Sequence, residues 1–151
     1  MQKEEVIKKA RIAFMAQAAI ATLLIVLFET GHIAGNIPGI SPTTRYIAEV
    51  AGIMLTIILI PLAIKGFSMQ MTRAAKEKTS HFIEYYRAKS NARTTILFLV
   101  IMMNTALYYI MDNNSALYCG LLGIAAAIYS YPTQAALDSY CNTQEEEEKK
   151  A

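Results

Sequence analysis

Residues 113–137, NNSALYCGLLGIAAAIYSYPTQAAL, form the longest stretch of the chain without a charged side chain. Three further uncharged stretches cover residues 12–28, 50–64 and 94–111, so that all charges are confined to the other half of the 151 residues. A soluble domain of this size would have to expose part of these stretches to water. A helix that crosses a bilayer core needs about 20 mostly apolar residues. The pattern therefore predicts a polytopic membrane protein.

The overall composition excludes several other classes of protein. Charged residues make up 17% of the chain and hydrophobic residues 54%, whereas soluble domains average about 25% charged residues. A disordered chain would be richer in charge and poorer in apolar residues. Two cysteines are too few for a disulfide scaffold. The basic residues follow the edges of the apolar stretches, which is not typical of a nucleic-acid-binding surface.

The uncharged stretches, extended to the length of a membrane span, predict an all-α fold. The four expected transmembrane helices cover about residues 11–30, 46–67, 94–111 and 116–137. Residues 31–44 hold three glycines and two prolines and are predicted to form turns. The link at 112–115 is so short that the helices on either side of it should be antiparallel neighbours. We therefore expect an antiparallel four-helix transmembrane bundle.

Three segments outside the predicted spans complete the domain organisation. Residues 1–10 are expected to be a cytoplasmic N-terminal segment that precedes the transmembrane domain at 11–137. The loop at 68–93 contains no glycine or proline, which favours either an interfacial helix or a helical extension of the second span. Residues 138–151 end in a run of glutamates and lysines and are predicted to be a disordered acidic tail.

Lysine and arginine predict the orientation, because cytoplasmic loops of membrane proteins are enriched in them. Of the 14 basic residues, 13 lie in residues 3–11, residues 65–93 and the C-terminal tail, and only Arg45 lies on the other side. Both termini should therefore be cytoplasmic, and the expected location is a bacterial inner membrane, where the basic residues would meet anionic lipid headgroups. A cleaved signal peptide is not expected, since the first apolar stretch is too long and no A-x-A site follows it.

The residues that usually carry enzyme chemistry do not form a recognisable site. Cys119 and Cys141 are 22 positions apart and lack the C-x-x-C spacing of a thiol oxidoreductase. His32 and His81 fall at opposite ends of the predicted bundle and could not hold one haem. The sequence has no P-loop, no G-x-S-x-G and no H-E-x-x-H. We expect no enzyme activity, no cofactor and no metal site.

Polar residues near the outer ends of the spans are the candidate ligand-binding site. Helical spacing places Glu29 with His32 on one helix face, and Arg45 with Glu49 on another. Because a short loop joins the first two spans, these faces are expected to meet, with Arg45 as counter-ion to the carboxylates. Tyr108 and Asp112 should join them from the third span. The alternative is that Arg45 pairs only with Glu49, and that Glu29 lies among lipid headgroups.

A second set of residues is predicted to pack the helices together. Asn104 lies near the middle of the third span, where an interhelical hydrogen bond is the commonest role for an asparagine. Gly120, Gly123 and Ala127 form a stripe of small residues that permits close helix approach. Pro61 and Pro132 are expected to kink the second and the fourth helix, because proline removes a backbone donor.

Two functions from different classes remain open. The first is a non-enzymatic accessory or scaffolding subunit of a larger membrane complex. The second is a small transporter or ligand-binding protein that uses the outer polar cluster and acts as a homo-oligomer. Four spans rarely enclose a wide pathway, so the second function would require dimerisation.

Overall fold

Five helices account for nearly all of the residues that the computed structural model describes, namely 2–77 and 81–150. They are α1 (Gln2–Glu29), α2 (Pro42–Lys76), α3 (Phe82–Met111), α4 (Asn114–Tyr129) and α5 (Gln134–Lys150). Neither described range contains a β-strand, and the all-α prediction is confirmed to that extent.

Three of the helices, α1, α2 and α3, are long and apolar enough to cross a membrane. The helices α4 and α5 meet that criterion only together, and they are bent by 59° at the break between them. The fold therefore supplies three candidate spans, or four when the bent pair is counted as one.

The break between α4 and α5 interrupts the stretch that the sequence predicts to be one continuous helix, 116–137. The helix α4 ends at Tyr129, and the N–H of Ser130 still donates to carbonyls of the last turn. Pro132 has no N–H to continue the ladder, which favours a helix end just before it. Thr133 then caps α5, its hydroxyl accepting from the N–H of Ala136 at 3.3 Å. The expected kink is thus a complete break, whereas Pro61 does not interrupt α2.

The basic segment at 68–93 is helical on both sides of its middle. The helix α2 continues to Lys76 and α3 begins at Phe82, so the segment forms extensions of the second and third predicted spans. Two alternatives were open from the sequence, an interfacial helix and a helical extension of the second span. The structure has the extension. Glycine and proline are absent from it, and no residue type forces either helix to end at the membrane edge.

The C-terminal segment, predicted to be disordered, is helical through Lys150. Leu137 and Cys141, one helical turn apart, are buried in a cluster with residues of α1, α2 and α3. That cluster comprises Val6, Ile7, Phe67, Met71, Ala74, Ala75, Phe82, Tyr86, Leu137 and Cys141. The burial of one face stabilises a helix whose composition alone indicates a solvated tail.

The helix α3 is the centre of the bundle. The helices α1, α2 and α4 each pack along it, and α2 also packs against α4 and α5. The expectation that α1 and α2 are packed neighbours is wrong, because the two do not form an extended contact. The loop between them crosses the C-terminal end of α3 and bonds to its carbonyls there.

Candidate functional site

The six predicted site residues gather around the C-terminal end of α3, which we call the loop end of the bundle (residues 29–49 and 108–115). The last carbonyls of any α-helix have no partner within the helix. In α3 they are bound by the loop: the N–H of Asn36 donates to Tyr109 O at 2.7 Å, and that of Ile37 donates to Ile110 O at 3.3 Å. The loop therefore acts as the cap of α3.

Gly35 allows this close approach of the loop to the helix. A Cβ atom at this position would lie 2.9 Å from the carbonyl oxygen of Tyr109, closer than real Cβ contacts occur. The next residue, Asn36, has φ +47°, a left-handed conformation that asparagine tolerates better than most residues. The glycines of the loop, read from sequence only as turn formers, thus include one that is required by packing.

Arg45 completes the cap rather than neutralising the carboxylates. Its guanidinium donates to Met111 O and to Asn36 Oδ1, each at 3.4 Å. A cation at this position also opposes the partial negative charge of a helix C-terminus. Within the described ranges, neither Glu29 nor Glu49 forms an ion pair with Arg45. The expected geometry of a counter-ion between two carboxylates is therefore not present.

The two glutamates bind hydroxyl groups on different helices. Tyr109 donates its phenolic O–H to Glu29 Oε1 at 2.5 Å, and its ring stacks on Phe28 with a centroid distance of 4.8 Å. Ser115 donates its hydroxyl to Glu49 Oε1, which ties α2 to the first turn of α4. Each carboxylate therefore joins two helices.

The remaining predicted residues are more exposed or face elsewhere. His32 is exposed, and its Nδ1 lies 2.9 Å from the hydroxyl of Thr30. Asp112 is exposed in a left-handed conformation that ends α3. Tyr108 packs edge-on against Tyr109 and lines a cavity beside α4. Sequence spacing identified Tyr108, but Tyr109, one position later, is the partner of Glu29.

The predicted packing residues lie in the helix interfaces around α3. Asn104 is fully buried, and its Nδ2 donates to Thr56 Oγ1 on α2 and to Val100 O, both at 2.9 Å. A Cβ atom at Gly123 would lie 2.8 Å from Ile101 Cγ1. Gly120 approaches Asn104, and Ala127 is buried in the second core cluster. These contacts join α3 to α2 on one side and to α4 on another.

The opposite end of the bundle, which we call the α5 end (residues 3–11, 67–77, 81–93 and 130–141), holds arginines that the sequence analysis used only for orientation. Arg93 donates to Ser130 O at 2.6 Å, and its guanidinium carbon lies 4.0 Å from the centre of the Phe67 ring. Arg11 donates its Nε–H to Pro132 O at 3.2 Å. These two side chains bind the carbonyls left free by the break between α4 and α5.

A signal for this role is present in the sequence. Arg11 and Arg93 each come immediately before an uncharged stretch, at its predicted cytoplasmic end. Pro132 lies near the predicted cytoplasmic end of the stretch at 113–137. A proline near the end of a span frees carbonyls that need donors in an apolar setting. Basic residues at the edge of neighbouring spans are the nearest donors that the sequence offers.

Two adjoining cavities lie between α1 and α4, with α3 as their floor. Their volumes are about 200 and 220 Å³, and they share Ile25, Ile101 and Ile124. Both linings are mostly apolar. Together they form a groove, hereafter the α1–α4 groove, that is open because α1 and α4 do not form an extended contact.

The described residues contain neither a cluster that could bind a metal ion nor a disulfide bond. No three His, Cys, Asp or Glu side chains there are close enough together to hold a metal ion. Cys119 and Cys141 are both buried and free. No protein-family model, curated protein or solved structure matches the chain.

Proposed function

We propose that the chain is a four-span protein of a bacterial inner membrane, and that it is a non-enzymatic accessory or scaffolding subunit of a larger membrane complex. The observation that carries the proposal is the exposure of α1. In the most apolar 18-residue window of α1 only 6% of the residues are buried, against 33% in α3. Such a surface can be covered by lipid on one side and by helices of a partner on the other.

The distance between the two ends of the bundle supports α4 as the fourth span. Arg93 binds the residue that follows α4, and Ser115 near its start binds Glu49 at the loop end. The helix α4 therefore runs alongside residues 93–111 of α3, and its 16 residues rise about 24 Å. A hydrocarbon core is about 30 Å thick. In this arrangement α5 lies beyond the span, at the membrane surface.

The charge distribution supports cytoplasmic termini. The α5 end carries most of the basic side chains, whereas Arg45 alone lies at the loop end. Reporter fusions after Gly39 and Asn114 should report an outside location, and a fusion after Ala151 an inside location. An inside location at Gly39 would contradict this topology.

The α1–α4 groove is the surface on which a partner helix would pack. Small residues line it on both sides, including Ala18 and Ala21 of α1 and Ala127 of α4. Small residues let helix backbones approach closely in a membrane, where van der Waals packing drives association. The polar groups at the loop end contribute little to an alternative site, because Glu29, Arg45 and Glu49 are already engaged in bonds between helices.

The proposal is tested by isolating the full chain in mild detergent and identifying what accompanies it. A larger membrane protein should be recovered in a fixed ratio. Ala18→Leu, which fills the groove, should reduce that recovery, whereas Ala19→Leu should not, because Ala19 is exposed and outside the groove lining. Equal recovery with both variants would contradict the groove as the partner surface, and isolation of the chain alone would contradict the accessory role.

A small transporter or ligand-binding protein is the second candidate, and one observation favours it. The cavity of about 200 Å³ is lined by Asn104 and Tyr108, an amide and a phenol within an apolar wall. That combination of apolar lining with few polar groups is typical of small-molecule sites. A ligand that stabilises the wild-type protein but not Tyr108→Ala would support it. Tyr118→Ala is the control, because Tyr118 is 67% exposed and does not line the cavity.

A further inference from the structure

A second groove, separate from the α1–α4 groove, lies between the first turns of α1 and the start of α5. Its volume is about 720 Å³. It is lined by Glu4, Ile7, Lys8, Arg11, Ile12, Met15, Ala16 and Gln134. The seven α1 residues fall in two adjacent rows, 4-8-12-16 and 7-11-15, so they share one face of the helix. We call this surface the α1–α5 groove.

One part of the groove is cationic. Lys8 and Arg11 are one helical turn apart, and both are exposed. Arg11 is held in position, because its Nε–H binds Pro132 O and its guanidinium lies 5.6 Å from the centre of the Tyr131 ring. Its terminal nitrogens make no hydrogen bond with the described residues and remain available to an anion. Glu4 is the one acidic lining residue and lies a turn further from the apolar part.

The other part of the groove is apolar and lies at membrane depth. Ile12 and Met15 are each 60% exposed, although they belong to the uncharged stretch that begins at residue 12. From Lys8 to Met15 the helix rises about 10 Å. Two cations are thus followed, along one helix face, by an exposed apolar surface. This sequence of charge and then apolar surface matches a phospholipid, which has a phosphate above its acyl chains.

We infer that the α1–α5 groove binds one anionic phospholipid, with its phosphate between Lys8 and Arg11 and an acyl chain along Ile12 and Met15. The inference rests on the proposed function only in requiring that α1 crosses a membrane. It differs from a diffuse attraction of basic residues to headgroups, because it assigns binding to the two basic residues that line the groove. Lys9, adjacent in sequence and exposed, does not line it and supplies the comparison.

The test uses the full chain in neutral detergent and measures thermal stability during titration with lipid. Phosphatidylglycerol should raise the melting temperature, whereas phosphatidylcholine and inorganic phosphate should not. A basic residue near an anionic headgroup contributes enough that Lys8→Gln should weaken the affinity for phosphatidylglycerol about fivefold. Lys9→Gln should leave that affinity unchanged. Phosphatidylglycerol with short acyl chains should bind more weakly than the long-chain lipid.

Three results would overturn the lipid site: equal affinity in Lys8→Gln and Lys9→Gln, the same stabilisation by inorganic phosphate, or no preference for phosphatidylglycerol over phosphatidylcholine. An alkaline wash of the membranes separates this failure from a failure of the proposed function. If the chain stays in the membrane while Lys8→Gln and Lys9→Gln behave alike, only the lipid site is wrong. If the wash releases the chain, the membrane role itself is wrong.

Discussion

At the α5 end of the bundle, the guanidinium of Arg93 donates to the carbonyl of Ser130 and lies against the ring of Phe67. Ser130 and Phe67 are both buried. At the loop end, the guanidinium of Arg45 also binds a backbone carbonyl, but through longer bonds and beside an exposed loop. The donor distances are 2.6 Å for Arg93 and 3.4 Å for Arg45. The two ends thus use the same chemical solution at different depths of burial.

The common problem is a helix that ends inside or near an apolar medium. Its last carbonyls must find donors, because an unpaired backbone group in hydrocarbon costs several kcal/mol. The difference between the two ends reflects how far water can satisfy these carbonyls instead of a protein donor. In the proposed topology α3 ends near the aqueous surface at Met111, where a weak cap is sufficient. Where α4 ends at Tyr129, followed by the buried Ser130, the donor must be well placed.

We expect the largest effect from Arg93→Leu. The substitution removes a charged hydrogen bond to Ser130 O and the contact with Phe67, and it should lower the free energy of unfolding by about 2 kcal/mol. Arg87→Leu is the matched control on the same helix, because Arg87 makes no hydrogen bond or ion pair within the described ranges. Thermal unfolding in detergent measures both variants. Equal melting temperatures would remove the contrast between the two ends.

Gly123 lies in the α3–α4 interface, between the two ends of the bundle. Gly123→Leu should lower the free energy of unfolding by a comparable or slightly smaller amount. A Cβ at Gly123 already lies 2.8 Å from Ile101 Cγ1, so a larger side chain must push α4 away from α3. Overpacking of this kind costs about 1–3 kcal/mol. Ala125→Leu, at an exposed position of the same helix, should leave the melting temperature nearly unchanged. A stable Gly123→Leu variant would mean that the α3–α4 interface does not hold the two ends together.

The positions of the helices were predictable because charge and hydrophobicity are properties of short segments. Asn104 is a good example: an amide in the middle of an apolar stretch needs a partner, and Thr56 provides it. The choice of helix neighbours was not predictable in this way. That α1 packs on α3 depends on the path of the loop, which in turn depends on Asn36 meeting the carbonyl of Tyr109.

The helical tail and the role of Arg45 show the same limit. Leu137 and Cys141 are buried only because α4 breaks and turns α5 against α1 and α2, so the composition of the tail gave no indication of it. Arg45 lies at the loop end and binds a backbone carbonyl, and helical spacing cannot distinguish such a partner from a carboxylate. Such a distinction depends on atoms that belong to residues far away in sequence.

A double-mutant cycle tests the capping role of Arg45. Arg45→Ala should cost about 1 kcal/mol through the loss of the bond to Met111 O. Glu49→Gln should cost less, about 0.5 kcal/mol, since glutamine still accepts from Ser115. Because the two side chains bind different partners, their effects should add to within about 0.5 kcal/mol. A double variant more stable than Arg45→Ala alone would show that Arg45 neutralises Glu49 after all, as the spacing of the two residues first indicated.

The smallest effect is expected for the ion pair between Lys3 and Asp138, which lies at the α5 end but at its surface. The Nζ–Oδ1 distance is 3.2 Å, and the side chains are 44% and 55% exposed. Exposed pairs contribute about 0.2–1 kcal/mol, and salt screens them. Asp138→Asn should therefore lower the free energy of unfolding by no more than about 0.5 kcal/mol, and the difference should vanish in high salt.

The measurement separates the two reasons for which the α5 end could be the more stable one. If Asp138→Asn costs as much as Arg93→Leu, ionic contacts at the rim hold α5 in place. If it costs little, the bound carbonyl of Ser130 and the buried cluster around Leu137 hold it.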